Sequence, residues 1–194
     1  MEEKMNILKL KQYGADSFPF LTEEERLGML SEAVVAEFQK APAVIGRVQQ
    51  NFFEAEVNPY WAPITMRAFS RLEQCIRDTL AAQLKRTLGR FFFNEHRFHR
   101  YPVGPVGISG HRDEAKFQLF IAVFVLAGKG DFRTHVDREG KKPLYIYEQP
   151  GHCILIPTLG FFDDDNSIPF HSVVDISEER TVVAARFDSL KSGL

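Results

Sequence analysis

The sequence of 194 residues has only two cysteines, Cys75 and Cys153. One falls on an expected helix and the other in an expected strand, so they make no disulfide framework, and a reducing, cytoplasmic setting is the simpler expectation. Positive charge is not in excess. Lys and Arg number 24 against 26 Asp and Glu, for a net charge of −2, and no basic run stands out. A chain that works on a polyanion normally carries a basic face, so nucleic acid is disfavoured as a partner. No apolar stretch approaches the roughly 20 residues that cross a bilayer. The longest, Phe117 to Ala127, contains Gln118 and reads as a strand. The opening Met1-Glu2-Glu3-Lys4-Met5 lacks a charged-then-apolar signal pattern. Internal repeats and low-complexity segments are absent. What is abundant is phenylalanine, 18 in all, which suggests a core of large flat side chains as in packed sheets. With 44% hydrophobic and 26% charged residues the composition is ordinary for a globular chain. Its length fits a single domain over 1–194.

Hydrophobic periodicity divides the chain near residue 90. Thr22 and Glu25 form a capping-box pattern. Leu27, Leu30, Val34 and Phe38 then recur at helical spacing, which predicts a helix to about Gln39, ended by Pro42. After the turn-rich Asn58-Pro59-Tyr60-Trp61-Ala62-Pro63, the stripe Phe69, Leu72, Ile76, Leu80 and Leu84 predicts a second helix. Arg71, Arg77, Lys85 and Arg86 lie largely off that stripe, and Gly89 supplies a stop. Beyond Arg90 the pattern is one of short β-branched and aromatic runs. These are Phe91-Phe92-Phe93, Arg97 to Tyr101, Phe117 to Ala127, Asp131 to Val136, Leu144 to Glu148, His152 to Ile156, His171 to Asp175 and Thr181 to Phe187. So many short strands in about a hundred residues imply a sandwich or jelly-roll barrel. The expected class is α+β. Residues 1–90 form two helices that buttress one face, and 91–194 form an antiparallel jelly-roll, cupin-like core.

Six histidines are present, and two begin a His-x-Asp triplet: His111-Arg112-Asp113 and His135-Val136-Asp137. Chance alone supplies roughly 0.3 such triplets in this composition, so a triplet needs support from its surroundings. The first has that support. It follows the glycine-punctuated Tyr101–Gly110 and precedes the long apolar run from Phe117. A third histidine, His171, opens a late strand, and Arg180 follows nine residues on. Two His and one carboxylate on one face of a metal leave open positions, the facial triad of non-haem Fe(II) oxygenases. An Arg supplies a planar fork that suits a carboxylate better than a Lys does.

These residues carry a resemblance. Tyr101 with Gly110-His111-Arg112-Asp113-Glu114, then Pro169-Phe170-His171, then Arg180 to Phe187, is similar to the 2-oxoglutarate/Fe(II)-dependent oxygenase superfamily, over about 97–188. The resemblance implies a double-stranded β-helix. It implies Fe(II) held by His111, Asp113 and His171, and 2-oxoglutarate paired through Arg180. O₂ would be the oxidant, with 2-oxoglutarate converted to succinate and CO₂ as a C–H bond is oxidised. Tyr101 matches a tyrosine that contacts the co-substrate in some branches, and Asp113 points to hydroxylation or demethylation rather than halogenation. The Arg180-to-Arg186 spacing is similar to AlkB-type demethylases of alkylated nucleic acid. His99, where that group has Asn, and the short His171-to-Arg180 interval depart from it. A small-molecule substrate is therefore expected first and nucleic acid second. A cupin-like metal enzyme without 2-oxoglutarate is the third reading.

Each residue has a plainer alternative. His111 and Asp113 could be solvated loop residues, and His171 could be paired across the sheet. Arg180 could answer Glu178 or Glu179 at a turn. Arg186 shares the face of Arg180 and points either inward, toward an anion such as Asp113 or a co-substrate oxygen, or outward. Tyr101 could be a core aromatic. His135 and Asp137 read as a hairpin end, although they could line a substrate mouth. Arg112 points away from a metal, into solvent or toward an anionic substrate. Asp163-Asp164-Asp165 reads as a solvated loop or, less simply, a cation-binding lip. His152 reads as structural and Cys153 as inert.

Overall fold

A computed structural model describes residues 5–85, 87–88, 91–162 and 168–191. The expected Gly89 stop, Arg86 and the Asp163–Asp165 loop lie outside the described residues. Among the described residues three helices, α1 (Ile7–Tyr13), α2 (Glu23–Val34) and α3 (Pro63–Leu84), stand with eleven strands. Five strands precede or follow α2 in the first third: β1 (Asp16–Pro19), β2 (Gln39–Lys40), β3 (Val44–Ile45), β4 (Val48–Gln49) and β5 (Phe53–Glu56). The rest are β6 (Glu95–Tyr101), β7 (Gly104–His111), β8 (Phe117–His135), β9 (Leu144–Ile146), β10 (His152–Pro157) and β11 (Phe170–Asp188). Every pair of named strands is antiparallel. The main sheet runs β1-β10-β8-β11-β6-β5-β2, with β7 added to β11 and β9 to β8.

The α2 N-terminus is closed as expected. Glu25 N–H donates to Thr22 Oγ1 at 3.2 Å, and Thr22 N–H donates to Glu25 Oε2 at 2.9 Å. Several other expectations need correction. The N-terminal part has three helices rather than two. The extra one, α1, is closed by Asn6, whose Oδ1 accepts from Leu8 N–H at 2.9 Å, and by Gly14 at φ +72°. Helix α2 stops at Val34, and its buried residues are Met29 and Ala33. Leu27 and Val34 of the expected stripe are exposed. Residues 1–90 also supply strands to the sheet, β1 beside β10 and β5 beside β6. Phe91–Phe93 is not a strand. Phe91 and Phe93 are buried among aromatic rings, and Phe93 N–H donates to Glu73 Oε1 at 2.8 Å. The glycine-punctuated 104–111 is a strand, and the two expected pairs 117–127/131–136 and 171–175/181–187 are each one continuous strand of 19 residues.

β8 and β11 are buried on both faces, which is why they read as apolar runs rather than as alternation. On one face Phe120, Ala122, Phe124, Val183 and Ala185 pack under the helices with Phe69, Leu72, Ile76 and Leu80 of α3. Phe69 and Phe124 stack at 4.6 Å, and Phe20 and Phe124 at 5.4 Å. On the other face Ile121, Val125, Phe132, Val173 and Val182 gather with Tyr101 and Phe52. The long pair shifts register near Gly128, whose φ is +81° and whose absent Cβ would lie 2.0 Å from the Glu179 carbonyl oxygen, so only glycine fits there. Among the described residues no helix is long and apolar enough to cross a membrane.

Helix α3 begins at Ala62, which offers no side-chain cap. Glu32 of α2 does that work instead, accepting from Ile64 N–H at 2.6 Å, Thr65 N–H at 2.9 Å and Thr65 Oγ1–H at 2.7 Å. Glu32→Ala is expected to lower the unfolding free energy by about 1–2 kcal/mol in denaturant titration. An unchanged midpoint would show that water replaces the carboxylate at no cost.

His96 on β6 packs on Phe69 at 5.1 Å, and its buried Nε2 has no hydrogen-bond partner among the described residues. Burial lowers its pKa from 6.5 to about 4, against the opposing pull of Glu95. The unfolded chain therefore takes up a proton near pH 6.5 that the folded chain refuses until about pH 4. Stability is full above pH 6.5 and falls between the two values. His96→Phe should flatten the stability-pH curve in that window by up to about 1.4 kcal/mol per pH unit, read from unfolding curves at pH 7, 6 and 5. A curve parallel to wild type would refute this.

Candidate active site

Pairing between β7 and β11 sets His111 directly opposite His171. The two rings lie 4.3 Å apart between centroids, and Phe132 stacks on His171 at 5.8 Å. Asp113, two residues past the end of β7, swings back so that its Oδ2 lies 3.2 Å from His171 Nε2. One ligand-type atom of each of His111, Asp113 and His171 lies within 4.8 Å of the others. Nδ1–H of His111 is directed at the Ser109 carbonyl at 2.9 Å, an arrangement that leaves Nε2 as the lone-pair nitrogen. Burial and then the neighbouring His171 lower the His111 pKa to about 4, so the ring is neutral near pH 7. Burial alone would raise the Asp113 carboxyl. Contact with His171 and the charge of Arg186 overcome it and hold Asp113 well below the usual carboxylate range. Two imidazoles and one ionised carboxylate, brought together from β7, the residues just after it and β11, fit a divalent iron site.

Alternation along the strands brings the other expected residues to the same cavity, of about 380 Å³. On β11 the lining residues are Arg180, Val182, Ala184 and Arg186. On β6 they are Glu95, Arg97, His99 and Tyr101. Arg180 and Tyr101 are opposite each other in the β11–β6 register. Tyr101 is buried, and burial pushes its phenol up to about 12, so it remains a hydroxyl donor. Arg186 points inward: its Nε is 3.5 Å from Asp113 Oδ1 and its Nη1 is 3.7 Å from Glu95 Oε1. Burial, with Arg186, Arg97 and Arg180 nearby, holds His99 neutral, and its Nδ1 is 3.5 Å from the Tyr101 hydroxyl.

Arg180 is neither at a turn nor paired with Glu178 or Glu179. It lies within β11, 1% exposed, forked onto Glu148. Glu148 had no signal in the sequence, since it sits among exposed residues after β9 with no motif around it. The second triplet stays out of the cluster. His135 ends β8 with Nε2 2.7 Å from Ser172 Oγ, and Asp137 Oδ1 accepts from Lys141 N–H at 3.0 Å in a turn. Arg112 is exposed and lies over the Phe170 ring at 4.4 Å, at the cavity rim. His152 Nδ1 meets Ser17 Oγ at 3.0 Å, and burial pushes the Cys153 thiol well up.

No protein-family model matches the chain, and no curated protein matches its sequence. Solved structures do match in shape. A prolyl-4-hydroxylase of Pseudomonas putida is 19% identical over 93% of this chain and 95% of its own, with a TM-score of 0.66. A 2OG-Fe(II) oxygenase family oxidoreductase of Burkholderia pseudomallei is 15% identical over 94% and 87%, with a TM-score of 0.67. OsALKBH1 is 12% identical over 90% and 98%, with a TM-score of 0.63. At such identities the likeness is one of fold. The chain, a mostly antiparallel sheet with three helices, has the architecture of 2-oxoglutarate-Fe(II) oxygenase structures, the superfamily that its His111, Asp113, His171 and Arg180 pattern resembles.

Proposed function

We propose that this protein is a 2-oxoglutarate-dependent Fe(II) oxygenase of the hydroxylase type, built on a double-stranded β-helix and acting on a small molecule. In this reading 1–194 is one domain, with 1–90 as support and 91–194 as the catalytic core. The observation that carries it is the convergence of His111, Asp113 and His171 with Arg180, Arg186 and Tyr101 on one cavity. Iron bound by the first three would supply O₂ activation coupled to oxidation of 2-oxoglutarate to succinate and CO₂, and hence C–H oxidation. The chain's own residues do the rest. Ser109 fixes the His111 tautomer, Arg186 and His171 keep Asp113 ionised, and Arg180 and Tyr101 offer donors to a carboxylate. Phe117, Phe132, Ile121 and Val173 keep the lining dry. A cavity of about 380 Å³ suits a co-substrate with a small reacting group.

Oxidative demethylation of alkylated nucleic acid is the second reading, supported by Arg180 and Arg186 on the same cavity wall and by the likeness to OsALKBH1. The rim speaks for the small molecule, because Glu54, Glu95 and Glu114 offset Arg97, Arg112 and Lys116, leaving no positive field for phosphates.

Anaerobic titration with Fe(II) and then 2-oxoglutarate is expected to give a visible metal-to-keto-acid charge-transfer band in wild type and His135→Ala. His111→Ala should lose it, with metal affinity down at least about 100-fold. Bound iron without a band would move the assignment to a cupin-like metal enzyme.

Arg180→Ala separates those two enzymes as well. It should raise the 2-oxoglutarate concentration for half-maximal turnover at least about tenfold at unchanged iron affinity. Turnover independent of 2-oxoglutarate would sink the assignment.

A further inference from the structure

Arg180 is the largest fully buried side chain in the molecule's described part, and it is a cation. A guanidinium does not shed its proton in a protein, so its burial demands an anion at close range. Glu148 supplies it from the connection between β9 and β10. Arg180 Nε–H donates to Glu148 Oε1 at 2.9 Å, and Arg180 Nη2–H donates to Oε2 at 2.5 Å. The Glu148 side chain is itself 6% exposed. This two-point contact takes one edge of the fork and two of its five N–H groups. Of the two partners, Arg180 borders the cavity and Glu148 does not. The carboxylate thus grips the guanidinium from behind.

We propose that Glu148 is the positioning residue for the distal carboxylate of 2-oxoglutarate, holding Arg180 by its Nε/Nη2 edge so that the remaining N–H groups are fixed toward the cavity. The inference rests on the co-substrate reading given above. Two physical consequences follow. The rotamer freedom of a long side chain is lost on folding rather than on binding, which favours the ligand. Glu148 also cancels the Arg180 charge, so the anchor recognises a carboxylate by geometry, not by net field.

The test compares 2-oxoglutarate with 2-oxobutyrate, which keeps the keto-acid end but lacks the distal carboxylate. Equilibrium binding of each is measured by calorimetry on Mn(II)-loaded wild type, Glu148→Gln, Glu148→Ala, Arg180→Ala and the double variant Glu148→Ala/Arg180→Ala. Glu148→Gln preserves size and one acceptor, so it covers the case in which Glu148→Ala does not fold. Wild type should prefer 2-oxoglutarate clearly. Glu148→Gln should weaken 2-oxoglutarate at least about tenfold and change 2-oxobutyrate less than about twofold. Arg180→Ala should abolish the preference, and Glu148→Ala should have no further effect on top of it.

A Glu148→Gln protein that melts earlier but keeps its preference, or that weakens for both ligands alike, makes Glu148 merely structural and overturns the inference while the co-substrate reading stands. Tighter 2-oxoglutarate binding in Glu148→Gln makes Glu148 a competitor for Arg180 and also overturns it. A wild type without preference, or a preference that survives Arg180→Ala, removes the role of Arg180 itself and the inference with it.

Discussion

Two strands of 19 residues, β8 and β11, pair antiparallel along most of their length, and the placing of Arg180 and Arg186 on the cavity wall follows from that pairing. Arg186 is opposite Ile121 and Ala184 opposite Val123, and these four line the cavity with Val182, which is opposite Val125. Their sequence neighbours Ala122, Phe124, Val183 and Ala185 face the helices. Because side chains alternate, a slip of one residue would drive Arg180 and Arg186 into the Phe69–Phe124 cluster and bring Val183 and Ala185 round to the cavity. An unpaired guanidinium among phenyl rings is costly, so the register is fixed by the charges as firmly as by apolar packing. The same strand carries His171 near its start, which the β7 pairing sets against His111.

The cavity gathers buried ions in a place where apolar side chains would hold the fold equally well. Replacing a buried ion pair by apolar groups is often neutral or stabilising, so such pairs are weak contributors to stability. Here Asp113 has His171 and Arg186 on either side, and Arg180 has Glu148. Each ion is compensated, which lets these charges sit beside the apolar Phe117, Ile121 and Phe132 of the same lining. That combination suits chemistry on a small anionic ligand, whose interactions strengthen where water is excluded.

Much of this was legible in the sequence, for reasons that differ between residues. The stripe Phe69, Leu72, Ile76 and Leu80 follows a 3.6-residue period and is buried as expected, while Leu84, the last residue of the expected stripe, is exposed at the helix end. The grouping of His111, Asp113 and His171 was legible because a triplet, a late histidine and strand context pointed to one chemistry. The 104–111 strand was hidden because its glycines answer to tertiary contacts: an added Cβ at Gly107 would lie 2.7 Å from the Tyr101 ring, and one at Gly110 would lie 2.5 Å from the Arg138 carbonyl. Helix α2 buries Met29 and Ala33 rather than Leu27 and Val34 of the expected stripe, because the angle at which it meets α3 and the sheet decides its inner face, and no local pattern encodes that angle. Glu148 and Glu32 were invisible for a related reason. Each serves a group far away in sequence, 32 residues off for Arg180 and Ile64 alike.

The two arginines of the cavity wall share a face and a strand but differ in what they have left to give. Arg180 is gripped by a short two-point contact that already occupies two of its N–H groups. Arg186 lies 3.5 and 3.7 Å from Asp113 and Glu95, beyond good hydrogen-bond length, and its buried Nε has no hydrogen-bond partner among the described residues. An unmade hydrogen bond at a buried donor is a larger reservoir of free energy than the net value of one already made. A carboxylate oxygen arriving between Arg186 and the His111–Asp113–His171 cluster would satisfy that donor, whereas Arg180 can only add to bonds it already has. The cavity is thus unequal along its length: one end is rigid and already compensated, and the other is set beside the histidines with an unused donor for the ligand to complete.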